Sequence, residues 1–125
     1  MKFFKHTNNP LRRMDASDCF FRSVAYYDKT QTWDKVFDEV YKIAKRFKMN
    51  ITNDRVLEYW LETNGYKEIK INKEKLCKIQ KFNKGKYIVW SNDHSIFVED
   101  GVLYDTWDSR KIKVLRYWIN ERLND

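Results

Sequence analysis

One cysteine, one histidine and one aspartate are spaced so that a single fold can bring them together. Cys19 stands where a helix should begin: Asp18 is a good N-cap, and Cys19-Phe20-Phe21 opens an apolar segment running to about Tyr27. A thiol at a helix N-terminus feels the positive end of the macrodipole, which favours thiolate. His94 stands at the start of an expected strand and Asp105 at the end of the next, across the hairpin signal Asp100-Gly101. A two-residue turn there pairs Glu99 with Val102 and sets Asp105 opposite Ile96. His94 and Ile96 share a face, so His94 and Asp105 become diagonal neighbours within side-chain reach. Nucleophilic acyl chemistry needs this set: a thiolate, an imidazole to take and return a proton, and a carboxylate to orient the imidazole.

The neighbouring residues divide between chemistry and structure. Asp93 and the other acids around His94 should hold its pKa up and favour the imidazolium that suits a thiolate partner. Asp108 follows Thr106-Trp107 and belongs to a turn, so Asp105 leads for the orienting role. Cys77, within a lysine-rich amphipathic stretch, reads as a small buried hydrophobe. Arg22, three residues after Cys19, suits either a nearby acid or a substrate carboxylate. Trp90 and Trp107 are expected to flank the cleft. Two Cys and two His lack metal-ligand spacing, and Gly65, Gly85 and Gly101 form no phosphate loop, so neither a metal nor another cofactor is expected.

The elements that must position these residues follow from periodicity. After the segment from Cys19, Thr32 caps a second helix whose stripe is Trp33, Val36, Phe37, Val40, Tyr41, Ile43, Ala44 and Phe47. A third helix is expected from about Asn53 to Asn64, with Val56, Leu57, Trp60 and Leu61 inward and Gly65 as its stop. Then the texture changes. Tyr66–Ile71 reads as a strand, Lys73–Phe82 as a short amphipathic helix, and Asn83-Lys84-Gly85 as a turn. Tyr87–Trp90, His94–Glu99, Val102–Asp105 and Lys111–Tyr117 are expected strands. Residues 1–14, with the single proline Pro10, read as an N-terminal arm or edge segment. Helices first and an antiparallel meander after them make an α+β domain.

The stretch Ser17-Asp18-Cys19-Phe20-Phe21-Arg22-Ser23-Val24-Ala25, followed by Gly85–Trp90, His94–Val98 and Asp100–Asp108, resembles small papain-like cysteine peptidases of phage and bacterial origin. The pattern is Asp-Cys-x-x-Arg-Ser on a helix, a strand, His on a second strand, then Gly-x-x-Tyr-Asp-Thr-Trp on a third. It spans roughly residues 15–110, most of a single domain of residues 1–125. The resemblance implies a papain-like fold, N-terminal helices packed on a small antiparallel β-sheet. It also implies Cys19 as nucleophile, His94 as general base and acid, and Asp105 as the orienting residue. Such enzymes carry a Gln roughly six residues before the nucleophile to complete the oxyanion hole. Position 13 here is Arg13, so Asn8, Asn9 or Arg13, or the backbone N–H of Cys19 with another donor, stand as candidates for that role, with Arg22 and Trp107 as further substrate-binding candidates. Asp93 stands where these families often carry Gly.

Composition bounds the rest. The 125 residues fit one domain, and 42% hydrophobic with 17% aromatic residues excludes a disordered chain. Two cysteines exclude a disulfide scaffold. No apolar run approaches the roughly 20 residues of a membrane span. The expectation is a soluble, cytoplasmic protein without a membrane partner. The net charge of +7 is uneven: residues 66–86 hold eight Lys and two Glu, whereas residues 93–108 hold five acids and no Lys or Arg. Two functions follow. One is a thiol hydrolase acting on a peptide or protein substrate, with basic residues favoured beside the scissile bond by the acids around His94. The alternative is a catalytically degenerate papain-like scaffold that binds nucleic acid or an acidic host protein through the Lys67–Lys86 face.

Overall fold

The apolar stripes of the N-terminal half form three helices in a computed structural model that describes residues 1–5 and 18–123. These are α1 (Asp18–Tyr27), α2 (Trp33–Phe47) and α3 (Asp54–Thr63). Local chemistry sets their ends. Thr32 caps α2 by accepting the Lys35 N–H at 3.1 Å, and Asn53 caps α3 by accepting the Arg55 N–H at 2.9 Å. α2 stops on Lys48 in the left-handed region at φ 55°. The chain leaves α3 through Gly65 at φ 89°, where only glycine is free of strain.

Six strands form one mixed sheet among the described residues: β1 (Lys2–Lys5), β2 (Lys67–Lys75), β3 (Lys86–Trp90), β4 (Ser95–Glu99), β5 (Val102–Asp105) and β6 (Lys113–Ile119), in the order β1-β5-β4-β3-β6-β2. The architecture is α+β, with both sheet faces covered. Ile88, Trp90, Phe97 and Trp118 meet the helix stripes of Val24, Trp33, Val40, Trp60 and Leu61. The alternate residues Tyr87, Val89, Ile96, Val98 and Tyr117 pack with Leu76 and Phe82 on the other face. Burial on two faces explains why β3 and β4 are apolar at nearly every position.

The β4–β5 hairpin has the expected register, with Glu99 opposite Val102, Val98 opposite Leu103 and Phe97 opposite Tyr104. Asp100 and Gly101 take φ 50° and 78°, the left-handed pair that a two-residue hairpin turn requires.

Several expectations are corrected. The sheet is mixed rather than antiparallel, because Lys2–Lys5 of the expected arm is an edge strand parallel to β5. The meander ends at β5: β6 crosses back to lie between β3 and β2. The expected helix over Lys73–Phe82 is instead the end of β2 followed by two 3-10 turns, Leu76–Lys78 and Gln80–Asn83. Its inward residues Leu76, Ile79 and Phe82 recur every three positions, the period of a 3-10 turn. The N–H groups of Leu76 and Cys77 donate to Ile112 O and Arg110 O, so tertiary bonds replace a helical ladder. The last strand is displaced from Lys111–Tyr117 to Lys113–Ile119, and His94 lies just ahead of β4 rather than within it. No helix among the described residues is long and apolar enough to cross a membrane. His6, Asn8, Asn9 and Arg13 lie outside the described residues.

Candidate active site

Cys19 lies in the first turn of α1, where backbone N–H groups have no partner within the helix. The helix is fixed to the sheet one turn further on. The hydroxyls of Ser23 and Ser95 lie 2.8 Å apart in a buried hydrogen bond. Ser95 opens β4 immediately after His94, so this contact ties the start of α1 to the residue that must approach it.

The His94 ring lies between a carboxylate and the thiol. Its Nε2–H donates to Asp105 Oδ2 at 2.7 Å, and a second side-chain hydrogen bond joins it to Cys19. With Nε2 engaged by Asp105, Nδ1 is the ring nitrogen left for the sulfur. Asp105 is only 1% exposed and is held by two more donors: Thr106 N–H to Oδ1 at 2.7 Å and Ser109 O–H to Oδ2 at 2.5 Å. Burial works against charging the imidazole, but hydrogen bonds to Asp105 and Cys19 outweigh it and hold His94 up at about 9. Burial likewise pushes the Asp105 carboxyl up, and the bonds from His94 and Ser109 outweigh that and keep it below its ordinary value. The site therefore carries an imidazolium at neutral pH. The indole of Trp107 stacks on the His94 ring, with centroids 5.1 Å apart and planes at 26°, and covers it on one side.

A cleft of about 270 Å³ opens beside this group. Cys19, His94, Phe20, Leu57 and Trp90 line it, with Thr52 and Asp54 from the start of α3 and Ser91, Asn92, Asp93 and Ser95 around the β3–β4 turn. The three residues expected to act together, Cys19, His94 and Asp105, are brought together.

Other expectations fare differently. Arg22 is buried and donates to Asp18 at 2.6 Å, and it does not line the cleft. The acid four residues back engages Nη2 and ties the guanidinium to its own helix. Trp107 also lies off the cleft lining, because it is stacked on His94. Asp108 is an exposed partner of Arg110, which holds its carboxyl down at about 2. Cys77 is exposed rather than buried, since the 3-10 turn points Leu76 inward in its place. Neither cysteine is in a disulfide. No group of three or more His, Cys, Asp or Glu that could hold a metal ion occurs among the described residues.

Sequence reasoning missed Ser23, Ser95, Ser109 and Asp54. For Ser109 a signal existed: a serine four residues after Asp105, in a turn, can return its hydroxyl to that carboxylate. The Ser23–Ser95 bond joins residues 72 apart and has no local signature.

Compared with protein-family models, with curated proteins and with solved structures, the chain matches none of them.

Proposed function

We propose that the protein is a thiol hydrolase of papain-like design that cleaves a peptide or isopeptide bond through a thioester on Cys19. The observation that carries this reading is the hydrogen-bonded series Cys19–His94–Asp105 at the mouth of a cleft. The imidazolium beside the sulfur and the N-terminus of α1 both favour thiolate. The thiolate attacks the acyl carbon, and the carbonyl electron pair moves to oxygen. The positive end of the α1 dipole favours the negative charge on that oxygen. His94 gives its proton to the leaving nitrogen as the C–N bond breaks, which leaves an acyl thioester. Neutral His94 then takes a proton from water, the resulting hydroxide attacks the thioester, and the acid leaves as the thiolate re-forms. Asp105 keeps Nε2 protonated, so Nδ1 faces the reaction throughout.

Mass spectrometry after brief incubation with a peptidyl p-nitrophenyl ester tests the covalent step. The acyl mass is expected on Cys19, turning over with time, and absent in Cys19→Ala. Acylation spread equally over Cys19 and Cys77 would overturn the reading.

A further inference from the structure

The cleft walls combine two features that a basic side chain satisfies together. Phe20, Leu57 and Trp90, all buried hydrophobics, form an apolar wall. Two carboxylates, Asp54 and Asp93, stand on the same lining, and among the described residues no Lys or Arg does. Of the other four acids near His94 in sequence, three are occupied elsewhere. Asp105 is bound to His94, Asp108 to Arg110, and Asp100 to the Gly85 N–H. Among the described residues Arg116 lies 3.7 Å from Asp54, but that guanidinium is held more closely by Glu58 at 3.3 Å and by Glu68. One cation among three carboxylates leaves this wall net negative. The Asp54 side chain is 64% exposed and open to a further partner. Arg116 also lies over the Trp90 ring at 4.5 Å, which fixes the indole that forms part of the wall.

We propose that Asp54 is a specificity-determining residue that receives the cationic head of a substrate lysine or arginine next to the bond attacked by Cys19, the aliphatic stem lying along Phe20, Leu57 and Trp90. Lysine and arginine carry an apolar stem and a charged tip, which matches an apolar wall rimmed by carboxylate. Asp93 adds a second negative charge on the same lining. This rests on the thiol-hydrolase reading, because Cys19 defines the bond beside which the subsite lies.

Charged thiol reagents separate the two ideas. In a Cys77→Ser background, Cys19 is reacted with cationic aminoethyl, neutral methyl and anionic sulfonatoethyl methanethiosulfonate. In each case the thiolate attacks the sulfenyl sulfur, a disulfide forms and methanesulfinate leaves. Rates are normalised to the same reagents on free cysteine. The expected order is cationic, neutral, anionic. Asp54→Asn lowers the cationic-to-anionic ratio by about three- to tenfold, the size of one unit charge acting across a partly solvated cleft. Glu62→Gln, at the far end of α3, leaves the ratio where it was. Near-UV circular dichroism of Asp54→Asn is expected to match the wild type, which separates loss of the charge from loss of the fold around Cys19. A fast Cys19 with no charge preference, or with a preference that Asp54→Asn does not change, overturns the subsite and leaves the hydrolase reading standing. A Cys19 no faster than Cys77 in the converse Cys19→Ser protein, with all three reagents, overturns the hydrolase reading itself.

Discussion

Three donors converge on the buried Asp105 carboxylate: His94 Nε2–H, the Thr106 N–H and the Ser109 O–H. Hydrogen bonds to a charged group contribute about 1.5–3 kcal/mol each, so Ser109→Ala should destabilise the protein by roughly that amount in urea unfolding. It should also slow acylation of Cys19, because the carboxylate that orients His94 is then less firmly held. The sign of the pH dependence follows from the two groups. His94 has a folded pKa of about 9, above its ordinary 6.5, so its contribution is complete below about 6.5 and is lost as pH rises through 9. Asp105 is depressed, so its contribution is present above its ordinary 3.8 and is lost as pH falls through its lower folded value. The pair stabilises most between about 4 and 6.5. Urea midpoints measured from pH 6 to 9.5 should fall in the wild type and stay flatter in His94→Gln. At this scale much was legible. Cys19, His94 and Asp105 each sit at an element end that local sequence marks. Ser95 and Asp54 were not legible, because their roles arise from contacts between elements far apart in the chain.

One short turn holds the register on which the site depends. Asp100-Gly101 fixes Glu99 opposite Val102, and slipping one residue would send Asp105 to the other face of the sheet. Gly101→Ala puts a side chain at φ 78°, with its Cβ 3.4 Å from Asn83 Oδ1. The expected loss is about 1 kcal/mol or more, seen as a lower thermal midpoint. Lys48 presents the opposite case: a non-glycine residue at φ 55° ending α2. Lys48→Gly should stabilise by about 0.5–1 kcal/mol, since the left-handed cap then carries no Cβ penalty. Helix caps and hairpin turns are local devices, and Thr32, Asn53, Gly65 and Asp100-Gly101 could be read directly. The segment 76–83 could not, because an apolar residue every third position is close enough to a helical period to imitate it over so short a run. The parallel pairing of β1 and the return of β6 to β3 carry no local mark either. Both are chosen by which strand edges remain open once β3, β4 and β5 have paired.

At the scale of the whole molecule, the lysine excess coincides with a sheet edge. β2 is the outermost strand beside β6, and Lys67, Lys70, Lys73 and Lys75 along it are exposed. Charged residues on an edge strand oppose pairing with another chain. Lys86, the last of the basic run, is half-buried: its Nζ donates to Tyr27 O at 3.0 Å and lies over the Tyr27 ring. Replacing Lys70, Lys73 and Lys75 together by threonine should leave the thermal midpoint nearly unchanged and raise light scattering at high protein concentration. The carboxylates lining the cleft among the described residues, Asp54 and Asp93, are opposite in sign to that edge, so the lysine excess marks the strand edge and not the place where chemistry is proposed.

Cys19 is proposed to be a nucleophile kept ionised by His94. Alkylation by iodoacetamide across pH 4–10, with the modified residue identified by mass spectrometry, tests it most directly. In a Cys77→Ser background Cys19 should keep reacting well below the range of about 8–9 where an ordinary thiol ionises, and the limb should move up toward that range in His94→Ala. A Cys19 that titrates like a free thiol, with the same profile in wild type and His94→Ala, would contradict the account.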